Sequence, residues 1–195
     1  MALPRQFTVA DLFALPENEP GERQELIDGV ICLTPTPSWG HQTVNQNLNR
    51  AIDSHVYSRR LGWVRENFAV MVNEWNYAIP DLLYVSRERR AVIRAEHLIG
   101  APDLACEIFS PSTRRRDVLT KRALYAQIGV AEYWQIDPVA QAVTVLALED
   151  GEYAEVAQPT PGMVTSRVLP ELRLTLAELF ADMDADVAPD SGEEA

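Results

Sequence analysis

The stretch APDLACEIFSPSTRRRDVLTKRALYAQIGVAEYWQIDP, residues 101–138, decides the fold class. It opens as an apolar strand, APDLACEIFS, with Glu107 held between Cys106 and Ile108. The PST that follows breaks the strand. From 114 to 128 the periodicity is helical. Asp117, Val118, Lys121, Leu124, Tyr125 and Ile128 share one broad face, and Gly129 suits the C-cap. EYWQIDP then reads as a second strand. A carboxylate in mid-strand loses hydration, so Glu107 needs a cation or a paired charge. Lys121 is the only lysine in a chain with 16 arginines, and it lies in the apolar stripe of its helix. A lysine there is expected to reach over the sheet toward the acids.

Working upstream, WVRENFAVMV (63–72) and AIPDLLYVS (78–86) are two strand candidates separated by the turn NEWN, and RERRAVIRAEHLIG (87–100) reads as loop. Pro80 places Asp81 at the beginning of its strand. Residues 38–60 form the clearest helix: Ser38 can cap it, Val44, Leu48, Ile52 and Val56 make one stripe, and Gly62 suits the stop. RQELIDGVICLTP reads as a hairpin about Asp28-Gly29, with Glu25 in its first strand. FTVADLFAL (7–15) is a short helix opened by Thr8, with Asp11 in capping-box position. Downstream, AVTVLALEDGEYAEVAQ turns at Asp150-Gly151, and a short strand and a helical turn close the domain. Hairpin, long helix, strands, helix, strands describes an α/β (α+β) domain with one mixed sheet and a helix on each side. The domain is expected over residues 1–181, with an acidic disordered tail over 182–195.

The chain has 195 residues, 47% of them apolar, which excludes collagen-like and wholly disordered classes. No apolar run is long enough for a membrane span, and the N-terminal stretch lacks the pattern of a secretory signal. Cys32 and Cys106 sit in strand-like runs and read as reduced core residues of a cytoplasmic protein. The net charge of −12 argues against a general nucleic-acid binder, yet residues 131–195 carry 14 acids against 2 arginines, so the acidity is C-terminal. The middle third is mildly basic, with RERR at 87–90 and Arg114, Arg115 and Arg116 together.

Two acids on neighbouring strands, Asp81 and Glu107, can present oxygens to one hard divalent ion, and magnesium fits because it uses one or two carboxylates and keeps several waters. Each residue also has a bland reading. Asp81 could start a turn, Glu107 could pair with a buried arginine, Lys121 could snorkel, and Glu25 could be edge polarity. The competing acid Asp103 lies four residues before Glu107, more than about 12 Å along the strand.

The string ELIDGVICLTPTPSWGHQTVNQNL, then IPDLLYV, then PDLACEIFS through AEYWQIDP, then LPELRLTLAELF, resembles the Uma-two family. That family is classed with bacterial restriction endonucleases, a branch of the PD-(D/E)xK nuclease superfamily. The resemblance covers residues 7–181 and implies a restriction-endonuclease-like mixed sheet flanked by helices, with extra hairpins. It implies that Asp81 is the first strand acid and Glu107 the acid of (D/E)xK. Phe109 stands where that motif has lysine, and the family pattern moves the lysine to the following helix, at Lys121. Glu25 matches the acid of the ELIDG motif. His41 matches a histidine that opens the long helix, a hydrogen-bonding residue before it is a base.

The implied activity is magnesium-dependent hydrolysis of nucleic-acid phosphodiesters, DNA first, with manganese as a substitute ion. Asp81 and Glu107 would hold the metal, Glu25, Asp81, Glu107 and Lys121 would form the catalytic set, and His41 with Arg114, Arg115 and Arg116 would meet substrate. A homodimer is expected, both from the resemblance and from the apolar AVTVLAL hairpin as an open edge. Two alternatives stand beside this: a catalytically inactive dimeric nucleic-acid-binding or protein-interaction module, and a closed network of buried ion pairs.

Overall fold

The structure, a computed structural model, describes residues 6–15, 23–34, 36–110 and 120–183. Helix α1 (Val9–Phe13) begins at Thr8, which forms a capping box with Asp11. Strands β1 (Arg23–Ile27) and β2 (Val30–Thr34) pair about Asp28 and Gly29, both at positive φ (50° and 74°), the backbone of a tight hairpin turn. Helix α2 (Trp39–Arg59) follows, capped by Ser38. Its stop is Arg60, in left-handed conformation, and not Gly62. Gly62 instead begins β3 (Gly62–Glu66), where an added Cβ would lie 2.0 Å from the Val85 carbonyl oxygen. The glycine is required by a close strand approach and not by the helix end.

Each of the two expected long strands is cut in two. Residues 63–72 divide into β3 and β4 (Ala69–Asn73), with Asn67 at φ 51° between them. Residues 78–86 divide into β5 (Asn76–Ala78) and β6 (Leu82–Ser86). Pro80, with no N–H for a ladder, falls in the break. The expected loop 87–100 contains a 3-10 turn (Arg90–Val92) and β7 (His97–Ile99). Then come β8 (Leu104–Ile108), α3 (Arg122–Ile128) capped by Gly129, and β9 (Glu132–Asp137). The hairpin β10 (Ala142–Glu149) and β11 (Glu152–Glu155) turns at Asp150-Gly151. Strands β12 (Met163–Thr165) and β13 (Arg173–Thr175) lead into α4 (Leu176–Leu179).

The breaks send the halves to different sheets, so the single sheet expected is in fact two, with a two-stranded ribbon besides. One is ordered β2-β1-β5-β4-β7, the other β11-β10-β9-β8-β6-β3, and the ribbon is β12-β13. Pairing is antiparallel except for β8 with β9 and β4 with β7. Helix α2 buries Val44, Leu48, Ile52 and Val56 against Leu82, Cys106, Ile108, Trp134 and Ile136 of the six-stranded sheet. On the opposite face, Ala105 and Tyr133 pack with Leu124 and Tyr125 of α3 and with Ile27 of β1. Burying each large aliphatic side chain contributes about 1.5–3 kcal/mol, so the α2 stripe holds this layer firmly.

The open edge expected at AVTVLAL is not an edge. β10 pairs with β9 on one side and β11 on the other, and the exposed strand β11 carries Glu152 and Glu155. Charges on an edge discourage strand addition, so this surface gives no support to a dimer. The expected disordered tail lies outside the described residues except for Asp182 and Met183.

Candidate active site

Alternation along β8 sends Cys106 and Ile108 into the α2 core and Glu107 to the other face, over which α3 lies. Glu107 is 3% exposed and Lys121 is also 3% exposed. Lys121 stands at the head of α3, where residues 120–121 make a wider, π-type turn. From there its Nζ donates to both oxygens of Glu107, at 2.9 and 3.0 Å. The same ammonium is 2.8 Å from Glu25 Oε1, which comes from β1 in the other sheet. Glu25 Oε1 also accepts from the Ile79 N–H at 2.7 Å, in the break between β5 and β6. One buried cation thus ties the two sheets and α3 together.

The Tyr125 hydroxyl, one helical turn after Lys121, donates to Glu107 Oε1 at 2.7 Å. Burial pushes this phenol well above its ordinary pKa, and the charges of Glu107 and Glu25 push it further, so it remains a donor. The Cys106 thiol is raised in the same way by burial and by the neighbouring carboxylates, which makes it an inert core residue. Cys32 is half-buried, and both cysteines are free.

Asp81, just before β6, is held separately. Its Oδ2 accepts from the Ile108 N–H at 2.8 Å, so it caps the end of Glu107's strand. Its Oδ1 accepts from both terminal nitrogens of Arg23, each at 3.1 Å. His41, in the first turn of α2, brings Nε2 within 3.4 Å of Asp81 Oδ2 and donates to the Ile108 carbonyl at 3.2 Å. Burial alone would raise the Asp81 carboxyl. The hydrogen bond and charge of His41, the Arg23 guanidinium and the Ile108 N–H outweigh burial and leave it below the ordinary value. Asp81 is therefore a carboxylate, with Ile108 as the link to Glu107.

Glu25, Asp81, Glu107, Lys121 and His41 all converge at the C-terminal end of β8. Arg114, Arg115 and Arg116 lie outside the described residues. Asp103 does not join the group: its Oδ2 accepts from the Ser86 N–H at 2.7 Å and fixes a strand end.

Sequence reasoning missed three residues. Arg23 precedes Glu25 by two positions, and that period-2 placement was the available signal. Asn67 accepts from Arg23 at 2.5 Å, and nothing local marks it. Gln135 is the register partner of Glu107 on β9, and its buried Nε2 has no hydrogen-bond partner among the described residues. A glutamine amid EYWQID was the signal there.

Three carboxylates here meet two permanent cations. The Asp81 and Glu107 carboxylates and the Ile108 carbonyl are hard oxygen ligands of the kind magnesium takes. No three His, Cys, Asp or Glu side chains among the described residues group closely enough to hold an ion by themselves. An ion here would complete its shell with water, which magnesium does readily. Among the described residues no helix is long and apolar enough to cross a membrane.

The fold is similar to the crystal structure of a putative nuclease from Anabaena variabilis, with a TM-score of 0.75 over 91% of this chain and 99% of that one, at 24% identity. No curated protein matches the chain. The model of the Uma2 family, described as "Putative restriction endonuclease", matches residues 9–177, a span that includes Glu25, His41, Asp81, Glu107 and Lys121. Because that model matches most of the chain, the chain belongs to the Uma2 family.

Proposed function

We propose that the protein is a magnesium-dependent endonuclease that hydrolyses DNA phosphodiester bonds at the Glu25–Asp81–Glu107–Lys121 cluster. One observation carries this: Lys121 Nζ lies within 3.0 Å of Glu107 and 2.8 Å of Glu25, although Glu25 stands on the other sheet and far from both in sequence. Asp81 and Glu107 would hold the ion, with the Ile108 carbonyl beside them. When bound, such an ion lowers the pKa of a coordinated water and offsets charge on the phosphate, and manganese could substitute for magnesium.

The chain's own residues do the rest. Lys121 is a compact cation whose three N–H bonds can turn between carboxylate and phosphate oxygens, so it orients the attacking water and meets the scissile phosphate. Glu25 holds that ammonium from the opposite sheet. Tyr125 fixes the Glu107 rotamer through Oε1, and Arg23 keeps Asp81 ionised and aimed. His41 supports Asp81 and the Ile108 carbonyl from the start of α2 and acts as a positioning residue. The water oxygen bonds to phosphorus as the ester P–O bond breaks; the water gives up a proton to solvent and the departing oxygen takes one from solvent.

The test is nicking of supercoiled plasmid in magnesium and in EDTA, by wild type and Glu107→Ala. Loss of nicking in both controls is expected, and nicking unchanged by both would refute the assignment. A second reading rests on the same geometry. Because Arg23 and Lys121 already neutralise two carboxylates, the cluster could be a closed ion-pair network in an inactive binding module. Thermal melting under magnesium or calcium titration separates the two: a metal site is stabilised by mass action, and a closed network is indifferent.

A further inference from the structure

Beyond the acid–lysine cluster, a groove of about 430 Å³ runs between the six-stranded sheet and the segment that joins the 3-10 turn to β7. Its floor is Leu83, its aromatic wall is Trp63 and Phe68, and its rim is Arg65, Arg90 and Arg94. We infer that this groove binds an unpaired nucleotide of the DNA strand that flanks the scissile phosphate, with phosphate on the arginines and the base against the aromatic wall. The inference rests on the nuclease reading for its position relative to the cut.

Position comes from register. Leu83 follows Asp81 by two residues, about 7 Å of strand rise, and Arg65 is its partner on β3. Phe68 follows Asn67, whose N–H donates to the Asp81 carbonyl at 3.1 Å and whose side chain accepts from Arg23. The groove therefore starts beside Asp81 and leads outward along β6 and β3 to Trp63, which is opposite Val85.

Charge comes next. The lining contains three arginines and no acid, in a chain of net charge −12. Arg23, Arg59 and Arg167 each meet a carboxylate. Among the described residues, Arg65, Arg90 and Arg94 meet none. Arg65 donates to the Val64 carbonyl, and Arg94 to those of Ala91 and Ile93, which leaves their charge uncompensated. All three are exposed, while Trp63 and Phe68 are half-buried. Guanidinium groups facing an aromatic wall in an open channel form the combination that holds single strands: charge tracks the backbone, and any base can stack. An apolar ligand would use the wall but not the three unpaired cations.

The experiment measures anisotropy of a fluorescein-labelled single-stranded DNA and of its duplex, in EDTA so that no cleavage occurs, using the full chain. The variant Arg65→Ala/Arg90→Ala/Arg94→Ala is expected to bind single strand about 10-fold or more weaker, with the slope of log K against log salt reduced by about 2. Trp63→Ala should weaken it about 5-fold or more. The triple Arg→Lys variant should recover most of the binding. Because these arginines are exposed, circular dichroism should report a native fold. The single variants Arg90→Ala and Arg94→Ala, each weakened with a smaller slope change, carry the test if it does not. Wild-type affinity and slope in the arginine variants overturn the inference, as does loss of duplex binding with single-strand binding intact. Failure here with Glu107→Ala still inactive leaves the nuclease reading standing. Nicking that ignores Glu107→Ala while the arginine variants lose binding defeats the active-site assignment and leaves the groove.

Discussion

Glu107 and Glu132 are both buried glutamates on adjacent strands, yet they are satisfied in different ways. Glu132 faces the α2 side with Trp134, and three neutral donors satisfy it: Trp134 Nε1 at 2.7 Å, the Ser166 hydroxyl at 2.6 Å and the Arg167 N–H at 2.6 Å. Those donors are fixed by backbone and ring, so the carboxylate staples the segment before β13 to the sheet. Glu107 faces the other way, and its partners include an ammonium on a flexible stem and a phenol. A carboxylate locked by neutral donors is a structural part. On the proposed reading, one balanced by a side-chain ammonium would exchange that partner for a metal, a water or a phosphate oxygen.

The widest separation is expected in activity. Glu107→Gln should lower nicking about 100-fold or more while the fold persists, because the amide still fits the cavity. Glu132→Ala should do the reverse: activity per folded molecule is kept, and urea melts show a loss of about 3–5 kcal/mol, since three buried donors lose their acceptor. If Glu132→Ala silences a still-folded enzyme, the contrast fails. Next in size is metal response. Magnesium at about 100 times its dissociation constant should stabilise wild type by about 2.7 kcal/mol, seen as a raised Tm, and Glu107→Gln should lose that rise while Glu132→Ala keeps it.

Tyr125→Phe should cost about 1 kcal/mol and reduce turnover about 10-fold or less, because Lys121 still holds Glu107. The smallest effect is at alkaline pH. Burial, followed by the charges of Asp103 and Glu88, pushes the Tyr84 phenol up to about 12. An unfolded tyrosine ionises near about 10. The folded state keeps its proton longer, so stability present below about pH 10 is lost as pH rises toward 12. Tyr84→Phe should flatten that decline in a melting series across the interval.

Much of this was legible in the sequence because its signals are local. The four-residue stripe of α2, the Asp-Gly turns and the Thr8–Asp11 capping box each depend on neighbours within a few residues. Lys121 was legible for a related reason: a lone lysine in the apolar stripe of a helix has few places to go. Glu132 shows the limit. In AEYWQID it looks as exposed to a catalytic interpretation as Glu107 does in LACEIFS, and its harmlessness depends on Ser166 and Arg167, more than thirty positions away. The division of 63–72 and 78–86 between two sheets was hidden similarly. Apolar alternation continues through Asn67 and Pro80, and only tertiary pairing sends the halves apart. Arg23 went unnoticed because its partner, Asp81, lies 58 residues on.

Glu25 belongs to one sheet, while Asp81 and Glu107 border the other. A slip of one residue in the β1–β2 hairpin would turn Glu25 away and offer Gln24 or Leu26 to the ammonium. On the proposed reading the cluster is complete only after both sheets have formed and met, so a partly assembled chain would lack it.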